Sequence, residues 1–477
     1  MKISRLILIL ICSIFIINDS QAQIPQLWGM AYHGGSYSFG TIYKINGDGT
    51  GFNTAYSFHY PNGIEPYGSL IQALDGKLYG MTLNGGTDSL GTIFSFDSQL
   101  NTYLHRLDLH TVSGTHPYGS LLQLPNGTMY GLTSNGGASN YGTLFSYDAY
   151  NNVLTNLHDF TVTTGYIAYG SLIKGNDGKL YGVTYQGGAH GYGVIFSFDP
   201  TNNTYTDLFD FNYSVSGAYP FGSMMKAASG KFYGVTYSGG TNSSGVLYSF
   251  DPATSTFTNA HNFISTTGDN PFGTLVQHYN GKIYGFSTYG GGQNYGNIFS
   301  LDTATNNYTV IHDFSYVDGG DPRGGMTIGR DSIIYGVTSY GGPGGFGVLF
   351  KLIPATNAYS TLHIMNNASG TYPQYTSLLQ FNPLVTEVLS PAANTNSSSV
   401  YPNPFSNQAT LDLNGIDNSN GSRLSILNIL GQEVRTINTE NKSEIILTRG
   451  NLEPGMYIYK LLSATKETLA TGKFIIE

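Results

Sequence analysis

Charge is what this chain has least of. Only 10% of its 477 residues are Asp, Glu, Lys or Arg, against roughly 25% in soluble domains generally. With 29 acidic and 20 basic residues the balance is mildly acidic, so the chain carries no basic footprint for nucleic acid. Cysteine is almost missing. The single one, Cys12, sits in an N-terminal apolar run, and Ile11 stands before it where a lipid-attachment site needs a small residue, so it reads as part of a signal core. Met1-Lys2-Ile3-Ser4-Arg5, the run Leu6 to Ile17 and the polar stretch Asn18 to Gln23 follow the order of a secretory signal peptide over residues 1–22, cleaved between Ala22 and Gln23. The run falls short of the roughly 20 residues of a spanning helix, so no transmembrane segment is expected in the mature chain. Without residues 1–22 no Cys remains, which excludes a disulfide framework and a thiolate nucleophile. The sequence also lacks HExxH, a nucleophile–base signature and metal-ligand spacing. No catalytic residue, metal ligand or cofactor is assigned.

What the chain has instead is 63 Gly, 38 Tyr and 26 Phe, a composition suited to short strands joined by tight turns. An aromatic-Gly pair recurs at Trp28-Gly29, Tyr79-Gly80, Tyr130-Gly131, Tyr181-Gly182, Tyr233-Gly234, Tyr284-Gly285 and Tyr335-Gly336, at steps of 51 or 52 residues. Each unit holds four apolar runs. In the unit after Tyr67 these predict strand a at Ser69 to Leu74, b at Lys77 to Leu83, c at Thr92 to Asp97 and d at Thr102 to Leu109. Asp75-Gly76, Asn126-Gly127, Asp177-Gly178, Ser229-Gly230 and Asn280-Gly281 mark two-residue a–b hairpins. Four-stranded meanders repeated seven times predict an all-β fold, a seven-bladed β-propeller over residues 23–382. A linear β-solenoid is the competing architecture. The chain ends decide against it: the first unit starts at strand b, and the missing strand a reappears as Tyr375-Thr376-Ser377-Leu378-Leu379-Gln380 with no strand b after it. Pairing the last strand with the first blade, three strands plus one, removes both exposed edges.

Residues 383–399 form a polar linker containing "SPAANTNSSS", and the alternating runs of residues 400–477 predict a small Ig-like β-sandwich. "YPNPF" at Tyr401 to Phe405, "LNILGQEV" at Leu427 to Val434, "LEPGMYIYKL" at Leu452 to Leu461 and the terminal "TGKFIIE" resemble the C-terminal sorting domain (type A) of the type IX secretion system. The resemblance implies a bacterial protein of the Bacteroidetes, exported across the outer membrane by that machinery, then released or anchored at the surface. An accessory adhesion module is the plainer alternative. The repeats, through the pattern YG-T-x-x-GG-x(4)-G-[TV]-[IL]-F at Tyr79 to Phe94, Tyr130 to Phe145 and Tyr181 to Phe196, are similar to the tandem repeats called GloVer, which imply no defined activity.

In a meander the b–c and d–a connections share one face and the a–b and c–d connections the other. The b–c and d–a loops are longer, and long loops on a rigid scaffold favour binding. Three residues before the Gly that opens strand a, the units vary: Glu65, His116, Ile167, Tyr219, Asn270 and Asp321. Of these Glu65, His116, Tyr219, Asn270 and Asp321 are the ligand-binding candidates at the propeller mouth, loop drift being the alternative. Before the closing Gly of the b–c loops stand Tyr141, Tyr192, Tyr295 and Phe346, either packing between blades or stacking on sugar rings. His190 and Asp88 are weaker additions. The Gly-Gly pairs of these loops read as turns rather than phosphate cradles, since no helix follows them. Asp97, Asp148, Asp199, Asp251 and Asp302 read as turn caps, and His158, His261, His312 and His363 as one register of strand d rather than a metal cluster. The composition favours a secreted binding module for glycan or another polymer, then a structural or adhesive protein with a surface-protein partner, and last a polysaccharide hydrolase or lyase.

Overall fold

The computed structural model describes residues 24–381, 398–413, 416, 422–428, 433–439, 442–463 and 468–477. The expected signal peptide 1–22 with Cys12, the expected cleavage between Ala22 and Gln23, residues 383–397 of the expected linker and residues 429–432 of the tail motif lie outside them. Among the described residues every regular element is a strand, and no helix is long and apolar enough to cross a membrane. The chain divides into two compact units, Met1–Pro383 and Leu384–Glu477.

The first unit is built from seven antiparallel sheets. In the second of them strand a is Ile64–Gln72, b Leu78–Asn84, c Thr92–Asp97 and d Thr102–Asp108, paired in that order. In the first, Leu379–Gln380 takes the place of strand a beside Gln26–Ala31, with Leu27 opposite Gln380 and Trp28 opposite Leu379. The sixth gains an extra strand, Asp269–Pro271, beside Lys282–Tyr289. Between each sheet and the next lies one apolar core, and the last, of Tyr335, Val337 and Leu349 against Leu27, Tyr43 and Ile45, joins the seventh sheet back to the first. The sheets thus close into a propeller. The recurrent aromatic-Gly pair has a steric cause: a Cβ on Gly80 would stand 2.5 Å from the ring of Phe94 on strand c. A side chain there would displace the ring that fills the core.

Strand a is shorter than the sequence predicts. Except in the second sheet it pairs over only two or three residues, such as Leu122–Gln123 and Ile173–Lys174. The residues just before it turn to their neighbours around the axis instead. The Ser69 N–H donates to Ser120 Oγ (2.7 Å), Ser120 to Ser171 (2.8 Å), Ser171 to Ser223 (2.7 Å), and Ser377 to Ser69 (2.7 Å) across the closure. Backbone donors that would have extended the hairpins are satisfied between blades. This close approach requires glycine. A Cβ on Gly273 would lie 1.6 Å from the Gly324 carbonyl oxygen and one on Gly119 2.4 Å from that of Gly170.

The outer part of each blade is joined to the next by stacked rings on strand d. His158 lies on Tyr205 (4.0 Å), His261 on Tyr308 (3.9 Å), His312 on Tyr359 (4.0 Å) and His363 on Phe52 (3.7 Å), all within 5° of parallel. Tyr56 on Tyr103 and Phe209 on Phe257 do the same without histidine. The Tyr103, Tyr205, Tyr308 and Tyr359 hydroxyls each donate to a loop carbonyl of the preceding blade. The histidine register is therefore an inter-blade contact. Burial holds His158, His261 and His363 below the usual imidazole range. On the opposite face the strand-c aspartates cap turns: Asp97 accepts from the Gln99 and Leu100 N–H, Asp148 from those of Tyr150 and Asn151.

The second unit is a β-sandwich. One sheet pairs Ser399–Tyr401, Gln408–Asp412 and Glu444–Thr448; the other pairs Glu433–Asn438, Arg423–Leu427, Gly455–Leu462 and Thr468–Ile476. Leu411, Leu424, Ile426, Leu447, Tyr459, Leu461 and Phe474 fill the space between them. The tail motifs are core and edge: Phe405 of "YPNPF" packs on Phe474 at 5.6 Å.

Two outcomes follow for stability. Gly273→Ala should cost about 3 kcal/mol, because neither the added methyl nor the opposing carbonyl can give way. Gly281→Ala, in open space at φ +83°, should cost about 1 kcal/mol for the left-handed backbone alone; urea denaturation of both variants checks the ranking. The depressed histidines give a second expectation. The unfolded chain binds protons near its ordinary imidazole value of about 6.5 while the folded chain does not, so stability is complete above that pH and falls as pH drops below it. Replacing His158, His261 and His363 together by Phe should flatten the dependence of the melting temperature on pH between about 7 and 5.

Candidate functional site

The b–c loops are folded by their Gly-Gly pairs. In the second blade Gly85 and Gly86 both have positive φ (+87° and +79°), and the closing Gly91 N–H donates back to the Gly85 carbonyl at 3.2 Å. The residue before each closing glycine is thereby turned so that its carbonyl meets the next d–a loop. The Glu65 N–H donates to Phe39 O (2.9 Å), His116 to Leu90 (2.9 Å), Ile167 to Tyr141 (3.1 Å), Tyr219 to Tyr192 (3.0 Å), Asn270 to Ser244 (3.0 Å) and Asp321 to Tyr295 (3.0 Å). The six variable positions thus share one backbone geometry, with φ between 50° and 61°. A seventh joins them that the sequence pattern does not reveal: Tyr372, at φ 53°, donates to Phe346 O at 3.0 Å. The extra residue Gln374 shifts it out of register with the other repeats. Left-handed backbone disfavours every type except Gly, Asn and Asp, yet Glu, His, Ile and Tyr are retained here.

Two residues further on, or three after Tyr372, the chain places Tyr67, Tyr118, Tyr169, Phe221, Phe272, Arg323 and Tyr375 at the axis. Their rings touch in succession: Tyr67–Tyr118 at 4.8 Å, Tyr118–Tyr169 at 4.5 Å, Tyr169–Phe221 at 4.2 Å and Phe221–Phe272 at 3.8 Å. Tyr375 lies against rings from four blades, Tyr67 (4.6 Å), Tyr118 (6.2 Å), Phe221 (5.3 Å) and Phe272 (5.0 Å). The axis is floored by this aromatic cluster, which with the neighbouring axial glycines lines a cavity of about 30 Å³. A ligand at the mouth would rest on rings. Residues just after strand b form the wall, which is rich in tyrosine: Tyr185 packs on Tyr219 (5.0 Å) and Tyr340 on Tyr372 (5.1 Å).

Charge at the mouth is sparse and unevenly distributed. Arg323 donates to Asp321 Oδ2 (2.8 Å) and to the Tyr289 hydroxyl (3.1 Å), with its guanidinium 5.8 Å from the centre of the Tyr340 ring. Burial pushes the Asp321 carboxyl up against the opposing pull of Arg323, and the carboxylate in turn keeps the guanidinium charged. On the other side Glu65 accepts from Asn84 Nδ2 at 2.5 Å. Burial, reinforced by Glu65, pushes the neighbouring Tyr32 phenol up to about 12, and burial raises Tyr118 and Tyr169 to about 12 as well. These hydroxyls stay protonated at neutral pH and serve as donors and acceptors. Burial also lowers His33 and His116, leaving both imidazoles uncharged there. The Asn270 amide is turned inward, donating to Tyr237 O at 2.8 Å.

The loop aromatics pack on d–a loop rings, two of them on the mouth residues Tyr219 and Tyr372. Tyr141 packs on Tyr166 (4.9 Å), Tyr192 on Tyr213 and Tyr219 (both 5.6 Å), Tyr295 on Tyr316 (5.1 Å) and Phe346 on Tyr372 (5.7 Å). Tyr141, Tyr192 and Phe346 are half-buried against the inter-blade cores, the packing role, while Tyr295 is exposed. Asp88 pairs with His110 at 3.2 Å on open surface, and His190 is exposed. Among the described residues no group of three or more His, Cys, Asp or Glu is placed to hold a metal ion.

Residues 17–175 and 168–401 match the family described as the Gloeobacter/Verrucomicrobia repeat, and residues 399–477 match the secretion system C-terminal sorting domain. No curated protein matches the chain. Among solved structures it is similar to PorZ, a surface component of the type IX secretion system of Porphyromonas gingivalis, at 14% identity and a TM-score of 0.44, covering 91% of this chain and 63% of PorZ. The chain therefore spans less than two thirds of that protein. It is also similar to putative 6-phosphogluconolactonases of Bacteroides uniformis (13% identity, TM-score 0.50, covering 71% of this chain and 95% of that one) and Bacteroides fragilis (14%, 0.50, 76% and 98%). At such identities the likeness concerns the fold alone.

Arg323→Met strands the Asp321 carboxylate, whose side chain is 16% exposed. The loss should be about 2 kcal/mol, the cost of breaking a buried pair reduced for partial exposure. Adding Asp321→Asn should recover most of it in the same urea titration.

Proposed function

Because the chain belongs to the Gloeobacter/Verrucomicrobia repeat family and ends in a type IX secretion C-terminal sorting domain, we propose that it is a surface binding module whose propeller holds extracellular glycan on its b–c and d–a face. The sorting domain marks it for export, secreted or attached at the cell surface, and implies contact with the secretion machinery through the tail. The observation that carries the glycan reading is the mouth itself. A floor of seven axial side chains, six of them aromatic, offers apolar ring faces, and half-exposed tyrosine hydroxyls and amides surround it. Sugars present this same combination, an apolar C–H face edged by hydroxyl groups. Sparse charge at the mouth suits recognition mostly through sugar hydroxyls and C–H faces.

A second reading, an adhesive protein with protein partners, draws on the tips of the d–a loops. Val112, Val215 and Val317 are 78%, 71% and 71% exposed there, and apolar side chains at loop tips suit protein contact. Catalysis ranks below both, since Asp321 is paired with Arg323 and no acid–base pair of side chains converges at the mouth among the described residues.

The test is a pull-down of the full chain with soluble and insoluble polysaccharides, each mixture assayed for released sugars. Binding without release is expected. Tyr219→Ala should weaken it roughly five- to tenfold, the worth of one aromatic contact. Tyr141→Ala and Tyr192→Ala should act less and through stability. Tyr150→Ala, in a c–d turn where the ring is 96% exposed, should leave binding unchanged. Equal loss from Tyr150→Ala and Tyr219→Ala would place the ligand elsewhere, and sugar release would favour an enzyme.

A further inference from the structure

The propeller carries eleven Lys and Arg residues between positions 24 and 381, and of these only Arg323 stands in a b–c or d–a loop. Lys77, Lys179, Lys231, Lys282 and Arg330 instead flank the a–b turns on the opposite face. Arg323 is held by Asp321 at 2.8 Å, so the mouth presents no unpaired cation. It does present an unpaired anion. Four ion pairs join described residues, His105–Asp108, His110–Asp88, His312–Asp318 and Arg323–Asp321, and Glu65 is in none of them. Its partners are neutral donors, the Asn84 amide at 2.5 Å and the Tyr32 hydroxyl.

Around this carboxylate the rings form a wall. Tyr32 lies 4.7 Å from Tyr67 and 4.0 Å from His33, and Tyr67 lies 4.8 Å from Tyr118 and 4.6 Å from Tyr375. A carboxylate set among electron-rich ring faces is the arrangement that attracts an ammonium group, through ion pairing and cation–π contact together. Phosphate, sulfate or uronate would meet Glu65 with no cation to offset it.

We propose that Glu65, with Tyr32, Tyr67 and Tyr118, forms a subsite for an ammonium group, so that the saccharide bound at the mouth is amine-bearing, of the glucosamine type. This rests on the glycan reading above. Glu65 occupies a backbone position with φ 58° where glycine would be easier, and its side chain is kept there at that cost.

Calorimetry on the full chain with a glucosamine tetramer, an N-acetylglucosamine tetramer and tetralysine tests it. The amine tetramer should bind about tenfold tighter than the acetylated one. Glu65→Gln should bring the two tetramers to within about twofold of each other, whereas Tyr150→Ala, in a c–d turn, should keep the tenfold preference. Glu65→Asn, a residue the same position already holds as Asn270 at φ 50°, repeats the test should the glutamine variant fold poorly. Equal affinity for both tetramers, or a preference that survives both substitutions, overturns the amine subsite while the glycan reading stands. Absence of binding to either tetramer and to every polysaccharide overturns both. Tetralysine binding lost on Glu65→Gln, without glucosamine binding, overturns the saccharide and points to a basic protein segment.

Discussion

Closure of the ring at its axis is the constraint on which the rest of the structure depends. Six of the seven strand-a segments bring a glycine to the axis, and Gly119 and Gly273 face neighbouring carbonyls within the space of a single methyl group, while Thr376 takes that position in the closing strand. Donors that would have lengthened the hairpins turn sideways into the serine series from Ser69 to Ser223. Just before each of these glycines an aromatic side chain is thrown toward the axis in five blades, Arg323 takes the place in the seventh, and Tyr375 completes the floor. The floor that would receive a ligand is thus a direct result of how the ring closes.

A protein with no cysteine in its described residues and little charge must hold its outer edge by other means. Stacked rings on strand d do so, and four of those contacts use histidine. Burial keeps three of these imidazoles uncharged, so they behave as flat apolar plates at neutral pH. Histidine spacing that could have suggested metal chemistry is a packing register. The same economy shows at the mouth, where Asp321 and Arg323 pair and Glu65 stands without a cation.

Much of this was legible in the chain. The spacing of the aromatic-Gly pair and the displaced final strand led to the closed ring, because repeats must bury both edges and only one pairing does so. The motifs "YPNPF" and "LEPGMYIYKL" led to the tail domain. The strands of the tail were less legible: Glu433–Asn438 pairs with Arg423–Leu427, but its weak alternation did not announce it. Strand a is short for a reason no single-repeat pattern contains, since its donors are used by the neighbouring blade. Tyr372 escaped because one inserted residue broke the repeat. The axial floor escaped because Tyr67 and its equivalents look like strand residues until the ring brings them together. The loop aromatics Tyr141, Tyr192 and Phe346 stood out in sequence, yet the structure uses them between blades.

The central claim is that the b–c and d–a face is the working surface. Hydrogen exchange of the full chain, with and without a saturating polysaccharide that it retains, addresses this most directly. The account predicts slowed exchange at the amides of Glu65, His116, Tyr219 and Tyr372 and in the b–c loops beside them, with the a–b and c–d turns unchanged. Protection concentrated in the turns around Asp75, Asp148 and Asp302 would contradict it.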